Sequence, residues 1–366
     1  MRILQHGIIY ENPLPQLSSR QSVFPSLCQI ANGDILASHV IGEAFESVNA
    51  TTHLSISRDG GRTFSLVGAM FEGKKAPAYS DGCKVTRLPD GRLCALGYAF
   101  DRKDPALPIG NPQTGGLLED ILFVSFSLDN GASWEAWRTL DCAWGRHVEA
   151  SAPLYALSNG SWVTPITGFA SWEGNLLSRN CGRLLRSDDR GKTFSDHTIC
   201  MAFEGDEITC FEQRLCELAS GTLVCIGWNE NMRTGERLPN HYTISTDGGK
   251  TFSRPMSTGI WGQASNVCAV GGERLLALHS VRRDTAQPGI YAYIVNLANG
   301  AWEIEEELLL WKSPVPVEKD ASMAEIFAYL KFGQPSAVVL DSGEILCCYW
   351  KHENGQYQTA TVLMEL

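Results

Sequence analysis

The sequence predicts an all-β fold, a six-bladed β-propeller of four-stranded antiparallel sheets. Three observations predict it. One eight-residue turn motif recurs four times, a second turn with glycine recurs six times, and the turns lie between short apolar runs typical of β-hairpins. Because a fixed period of this size indicates a repeat architecture, six units of about 61 residues account for the whole chain as one closed ring.

The first repeated element is the pattern S-x-D-x-G-x-[TS]-[FW], called the Asp turn below. Its first serines are 70, 60 and 58 residues apart. The aspartate is expected to accept hydrogen bonds from backbone N–H groups two or three residues further along the chain. The glycine is expected where φ is positive or the backbone is crowded. Since four equivalent copies cannot share one active site, we interpret these aspartates as turn stabilisers. The copies are 57–64, 127–134, 187–194 and 245–252.

The second repeated element is a glycine turn that precedes each Asp turn. The predicted unit is therefore strand, glycine turn, strand, loop, strand, Asp turn, strand. The fifth and sixth units carry only degenerate Asp turns, at 299–302 and 354–357. The apolar strands expected directly after the glycine turns are 35–37, 93–96, 162–165, 223–226, 275–278 and 345–348.

The predicted units form a single domain over residues 1–366. The N-terminal segment 1–12 is expected to supply a strand, residues 3–10, that pairs with the last blade and closes the ring. The blades are predicted at 17–70, 78–140, 148–200, 208–257, 262–312 and 332–366.

The composition of the chain limits the classes of molecule that it is expected to bind. A net charge of −11 argues against non-specific binding to nucleic acid or anionic membranes. The sequence contains no run of 18 apolar residues, so it predicts no transmembrane helix. The N-terminus lacks the pattern of a signal peptide. The twelve cysteines lie mostly in apolar runs without zinc-site spacing, so we expect reduced, buried thiols in a cytoplasmic protein. No metal or cofactor motif is present; the expected partner is a small carbohydrate, and the oligomeric state is left open.

The lengths of the predicted loops indicate which face of the fold carries the binding residues. In a four-stranded meander, the first and third turns lie on the same side, which here collects the short glycine and Asp turns. The opposite side carries long, unlike loops, and binding residues concentrate on such loops over a rigid scaffold. The predicted loops include 71–81, 101–119, 168–181, 282–289 and 313–334, and the last of these is the longest.

A register counted from each glycine turn selects two sets of residues for that loop-rich face. Amides and a carboxylate beside aromatic rings are what a sugar pocket needs. Trp228 and Trp350 could equally pack between blades, whereas Glu212 with Gln263 and Gln334 is harder to explain as plain core. Nine residues before the glycine stand Phe24, Gly82, Ser151, Glu212, Gln263 and Gln334; seven after it stand Val40, Tyr98, Thr167, Trp228, His279 and Trp350.

The Asp turns on six predicted blades resemble the sialidase superfamily over nearly the whole chain. Segments 24–27 and 211–215 look like two conserved sialidase segments, which implies a sialidase-like propeller and puts Glu212 on the glutamate that polarises the family's tyrosine nucleophile. Two family arginines, the nucleophile and a bracing glutamate are replaced, so the resemblance implies the fold and not sialic acid hydrolysis. Those four positions are Val23, Trp228, Gln334 and Trp350.

Three functions stay open at this point. A glycoside hydrolase needs two carboxylates across a pocket, and the candidates are Glu212, Asp81 and Glu149. A lyase on uronic-acid-containing sugars would abstract a proton with histidine, tyrosine or arginine groups. A sugar-binding propeller without catalysis needs neither. We expect an exo-acting glycoside hydrolase on a sugar other than sialic acid. Its substrate-binding candidates are Arg20, His39, Tyr98, Arg102, His147, Trp228, Gln263, His279, Arg282, Gln334 and Trp350.

Overall fold

The computed structural model describes residues 1–71, 79–283, 285–314 and 330–366. Parts of three predicted loops, residues 72–78, 284 and 315–329, therefore lie outside the described residues, as does the predicted start of the second blade at residue 78. The described residues form 25 strands in six antiparallel sheets and no helix. This confirms the predicted fold class of six four-stranded blades.

The chain divides into two compact units. The terminal unit comprises Arg2–Leu154, Phe169–Leu177 and Ser336–Leu366, and the central unit comprises Met1, Tyr155–Gly168 and Ser178–Pro335. The single domain over 1–366 stays a prediction.

The terminal unit holds three sheets of sequential antiparallel strands. One has the order β2 (Gln21–Gln29), β3 (Ile35–Gly42), β4 (Thr51–Ser57), β5 (Ser65–Ala69). The next has the order β6 (Tyr79–Arg87), β7 (Leu93–Asp101), β8 (Asp120–Ser127), β9 (Arg138–Leu140). The short β10 (Val148–Glu149) comes next along the chain and is not part of this sheet. The third places β1 (Arg2–Tyr10) beside β25 (Gln356–Glu365), then β24 (Ile345–Glu353) and β23 (Phe332–Val339), whose first residues belong to the central unit.

The central unit holds the other three sheets. The first contains β11 (Tyr155–Ala156), β12 (Trp162–Gly168), β13 (Gly182–Ser187) and β14 (Ser195–Met201). The second has the order β15 (Phe211–Glu217), β16 (Leu223–Trp228), β17 (His241–Ser245), β18 (Met256–Ser257). The third has the order β19 (Ser265–Gly271), β20 (Arg274–Val281), β21 (Gly289–Asn296), β22 (Glu303–Lys312).

The predicted closing strand is confirmed. β1 pairs antiparallel with β25, from Arg2 opposite Glu365 to Tyr10 opposite Thr359. The last sheet of the chain is therefore completed by its first strand, and Ile9 and Tyr10 are buried in the apolar cluster of this sheet.

The Asp turns have the predicted hydrogen bonds. In the first copy, Asp59 Oδ1 accepts from the backbone N–H groups of Arg62 at 3.1 Å and Thr63 at 2.9 Å. The Thr63 hydroxyl donates to the other carboxylate oxygen at 2.5 Å. Gly61 has a φ of 85°, and a Cβ there would stand 2.5 Å from Leu346, so glycine is required both by conformation and by space. The other three aspartates bind their turns in the same way.

Within the described residues, no disulfide joins any of the twelve cysteines; ten are buried, and Cys142 and Cys268 are half-buried. Burial raises the pKa of Cys28 and Cys83 to about 12, so these thiols act as small apolar core groups. Within the described ranges, no helix has the length and apolar character that crossing a bilayer requires.

Candidate active site

The backbone marks the register that the sequence predicts. Among the described residues outside the hairpin turns, three residues other than glycine have a positive φ: Phe24 at 56°, Glu212 at 47° and Gln334 at 41°. All three stand nine residues before their turn glycine. The pairing of β2 with β3 and of β15 with β16 shifts register at this point, as a β-bulge does. Non-glycine residues in this region of φ are strained, and such strain concentrates at functional sites.

Glu212 lies at the start of β15 with both carboxylate oxygens engaged. The indole Nε1–H of Trp228 donates to Oε2 at 2.7 Å, and the side-chain amide of Gln334 donates to Oε1. Trp228 reaches Glu212 because it stands opposite Phe211 at the end of β16, and its ring lies 5.2 Å from the Phe211 ring. Since an indole N–H can only donate, Glu212 presents an acceptor carboxylate held in one orientation.

Arg282 supplies a buried positive charge beside this carboxylate. Its Nε and Nη2 donate to the backbone oxygen of Phe332 at 2.9 and 2.5 Å, and its guanidinium lies 5.6 Å from the Phe332 ring centre. Burial lowers the pKa of Arg282 to about 10, and the attraction of Glu212 opposes that shift. Arg282 therefore stays charged at neutral pH and acts electrostatically on Glu212.

A second carboxylate in the central unit, Glu230, was not singled out by the sequence analysis. Its Oε2 lies 3.9 Å from the guanidinium of Arg283, and both side chains are largely buried. Burial raises the pKa of Glu230, while Arg283 and Arg237 act in the opposite direction. Glu230 follows Trp228 by two residues, so its place at the end of β16 is the signal that the sequence offered.

Gln263 and His279 occupy the fifth blade at the two register positions. The backbone N–H of Gln263 donates to Ser280 O at 2.9 Å, and its side chain is half-buried. His279 is fully buried against the Tyr293 ring, 5.6 Å away, and burial lowers its pKa to about 3. This histidine is neutral at physiological pH, which suits a packed ring better than a proton carrier.

The remaining two catalytic candidates, Asp81 and Glu149, lie in the terminal unit, and their carboxylates accept hydrogen bonds from backbone N–H groups. Asp81 accepts from the Thr51 hydroxyl at 2.6 Å and from the backbone N–H of Thr52 at 2.9 Å. Glu149 accepts from the backbone N–H of Ser151 at 2.8 Å. Both side chains are buried, so these contacts favour a structural role for the two carboxylates.

Three of the candidate binding residues in the terminal unit are also committed to internal contacts. His39 is fully buried, with Nδ1 2.9 Å from the Ser22 hydroxyl and Nε2 2.9 Å from the Ser55 hydroxyl. Arg102 donates to the backbone oxygens of Glu46 and Leu107. Burial lowers the pKa of His147, which is itself largely buried. These contacts favour packing and loop anchoring.

The other three terminal-unit candidates differ in exposure. Trp350 is buried among the rings of Phe45 at 5.3 Å and Tyr357 at 5.7 Å. Tyr98 is half-buried, with its ring 5.4 Å from that of Phe100. Arg20 is exposed. The ring cluster around Trp350 therefore includes two aromatic side chains that the register did not select.

The described residues contain no group of three or more histidine, cysteine, aspartate or glutamate side chains arranged to hold a metal ion. The groups that the structure does bring together, all in the central unit, are Glu212, Trp228, Gln334 and Arg282, followed by the pair of Arg283 and Glu230.

No protein-family model matches the chain, and no curated relative matches it either. Solved structures do. A protein of unknown function from Dyadobacter fermentans is similar with a TM-score of 0.76 and 20% identity, over 100% of this chain and 99% of that chain. A Hadza microbial sialidase has a TM-score of 0.66 and 16% identity, over 94% of this chain and 66% of its own.

A third similar structure is the α-L-arabinanase of Penicillium chrysogenum, solved in complex with arabinobiose. Its TM-score is 0.64 at 14% identity, over 100% of this chain and 99% of that chain. At identities this low the likeness shows the fold alone, which is the sialidase-like six-bladed β-propeller that the sequence predicts.

Proposed function

We propose that this sialidase-like propeller is an exo-acting glycoside hydrolase on a sugar other than sialic acid. The observation that carries the proposal is the carboxylate of Glu212, held on a strained backbone by Trp228 and Gln334 beside the buried guanidinium of Arg282. Catalytic carboxylates need such fixed orientation, because a nucleophile or base works only from one position relative to the anomeric carbon.

Glu230 is the second carboxylate that the proposal uses. Glycoside hydrolysis needs one carboxylic acid that protonates the leaving oxygen and one carboxylate that attacks the anomeric carbon or activates water. Burial raises the pKa of Glu230, as suits the acid, while Glu212 accepts at both oxygens, as suits the nucleophile or base. Asp81 and Glu149 are less suitable, because their carboxylates bind backbone N–H groups.

A sugar other than sialic acid is proposed because of the residues at the family's positions. Where the resemblance implies the tyrosine nucleophile and one arginine, this chain has Gln334 and Trp228, and both side chains bind Glu212 instead. Gln334 and Trp228 thus replace two residues of the sialidase site and form a different set of contacts around Glu212, which matches the family's glutamate.

A second candidate is a lyase on uronic-acid-containing sugars, and Arg282 favours it. A buried guanidinium that is charged at neutral pH can pair with a uronate carboxylate and stabilise the anion formed when the neighbouring proton is removed. Glu212 would then be the base. A third candidate, sugar binding without catalysis, predicts binding without turnover.

The test is a screen of aryl glycosides and uronic-acid disaccharides against the wild type and the Glu212→Gln variant. We expect hydrolysis of at least one glycoside by the wild type and a loss of kcat of about 100-fold or more in the variant, with its melting temperature little changed. Glu204→Gln provides the matched control, since it makes the same change at an exposed side chain.

Each outcome decides between the candidates. Unchanged turnover in Glu212→Gln would remove Glu212 from the mechanism. A product with an unsaturated, ultraviolet-absorbing ring identifies the lyase. Sugar binding with no turnover by any of the glycosides or disaccharides identifies the binding propeller.

A further inference from the structure

Trp261 differs from every other tryptophan of the chain in its exposure. The structure describes all ten tryptophans, and nine are buried or half-buried, whereas Trp261 is 46% exposed. Its two neighbours, Ile260 and Gly262, are both buried. A large aromatic side chain thus points to solvent from a segment whose flanks are packed.

The backbone on both sides of Trp261 is anchored by one buried residue, Asn240. The backbone N–H of Asn240 donates to Ile260 O at 2.8 Å. Its side-chain oxygen accepts from the backbone N–H of Gly262 at 2.6 Å, and its amide donates to the Ser265 hydroxyl at 3.0 Å. The ring is therefore presented on a fixed segment, so little conformational entropy is lost when a ligand stacks on it.

Gly262 is required by close packing under this segment. A Cβ at position 262 would stand 2.8 Å from His279 Nδ1 and 3.1 Å from Asn240 Oδ1. His279 is neutral and packed against Tyr293, which gives the segment an apolar floor. The backbone that follows Trp261 is thus closely packed as well.

The position of Trp261 relates it to the proposed catalytic carboxylate. Two residues later stands Gln263, nine residues before its turn glycine, as Glu212 and Gln334 are before theirs. The pairing of β19 with β20 continues up to Gln263, whose N–H donates to Ser280 O, and ends before Trp261. Because Gln263 is the register equivalent of Glu212, we expect Trp261 to lie just beyond the level of Glu212, on the loop side of the same unit.

We infer that Trp261 is a stacking platform for the sugar or other ring on the leaving-group side of the scissile bond. A flat, polarisable indole face binds the C–H face of a pyranose or furanose ring, while the sugar hydroxyls stay in water. A platform beyond the level of Glu212 contacts the unit that departs and not the one that Glu212 attacks. This inference rests on the proposed function.

The test compares Trp261→Ala with Trp261→Phe on two substrates that share the non-reducing sugar selected in the screen above. One is its disaccharide, and the other is its methyl glycoside, whose leaving group is too small to stack. For Trp261→Ala, we expect KM to rise about 10-fold on the disaccharide and less than about 2-fold on the methyl glycoside, because only the disaccharide loses a stacked ring. Trp261→Phe restores most of the difference.

Ile304 provides the matched control, since it is also 46% exposed, on strand β22. Ile304→Ala leaves both KM values unchanged. An unchanged KM on the disaccharide in Trp261→Ala, or an equal rise on both substrates, would overturn the platform.

Binding separates this inference from the proposed function. The dissociation constant of the disaccharide is measured by calorimetry in the Glu212→Gln background, with and without Trp261→Ala, and we expect it to rise about 10-fold. If Glu212→Gln retains full turnover while Trp261→Ala still weakens the disaccharide alone, Glu212 loses its role and the platform stands. If no sugar is bound or cleaved, both fail.

Discussion

Asp120 has a carboxylate that water does not reach. It is fully buried at the start of β8, and its oxygens accept from the backbone N–H of Val148 at 3.1 and 3.3 Å. Burial raises the pKa of Asp120 well above 3.8. The Val148 N–H and the charge of Arg146 oppose that shift, and the charges of Glu149 and Glu119 reinforce it.

This pKa shift predicts a pH-dependent stability. Because the folded chain holds the proton to a higher pH than the unfolded chain, the stabilising contribution of Asp120 is complete below its unfolded pKa and falls as pH rises through the folded pKa. In Asp120→Asn the uncharged amide oxygen can still accept from Val148. We therefore expect its melting temperature relative to the wild type to increase between pH 4 and pH 8, as measured by calorimetry.

Exposed Asp141 serves as the control, and Asp141→Asn is expected to give a flat difference over the same range. A flat difference for Asp120→Asn as well would show that Asp120 is not protonated in the folded protein.

At the residue scale, the sequence predicted four of the six residues of the candidate site. Glu212, Trp228 and Gln334 follow from the register counted from the glycine turns, which places equivalent residues at equivalent levels, and Arg282 was predicted as a substrate-binding residue outside that register. Glu230 was not predicted, since it lies in a loop beyond β16, where no periodicity applies. Asp81 stands one residue before a register position, and its bonds to Thr51 and Thr52 depend on strand neighbours that a count does not give.

At the element scale, the Asp turns are local structures with a charged anchor. Hydrogen bonds from the Thr63 side chain and backbone lower the pKa of Asp59 to about 2. Because a depressed carboxyl pKa stabilises the fold above the unfolded pKa, this contribution is lost as pH falls from about 4 towards the folded value of about 2.

Replacement of Asp59 tests this contribution to stability. Asp59→Ala removes the acceptor of four hydrogen bonds, and we expect a loss of about 1 kcal/mol in the free energy of unfolding by urea at pH 7. Asp59→Asn keeps one acceptor oxygen and loses less. The difference between Asp59→Ala and the wild type shrinks as pH falls below 4. A loss that stays the same at low pH would contradict the role of the charge.

The strands show why sequence patterns underestimate element length. The apolar run 35–37 predicts a three-residue core strand, yet β3 continues to Gly42 with every residue buried. Ser38 and His39 extend it, because the Ser38 hydroxyl donates to Cys83 O and His39 bonds two serine hydroxyls. Polar residues satisfied inside a sheet look like loop residues in the sequence, and the same happens in β12 with Thr167, whose hydroxyl donates to Cys181 O at 2.8 Å.

At the scale of the whole molecule, fold and function have different sources in the sequence. The turn glycines and aspartates recur, so their period predicts six sheets, and the similar solved structures have this propeller fold. The candidate site occurs once. Its residues come from β15, β16, β23 and the segments directly after β16 and β20, and no repeated pattern reports which side chains meet there.

The most direct test of the proposed function is a crystal structure of the Glu212→Gln variant with the uncleaved glycoside bound. We expect the anomeric carbon of the terminal sugar within about 3.5 Å of the side chain of residue 212, directly or through one water, and the leaving group over the ring of Trp261. A glycoside bound with its scissile bond away from residue 212 would contradict the assignment of Glu212 as the catalytic carboxylate.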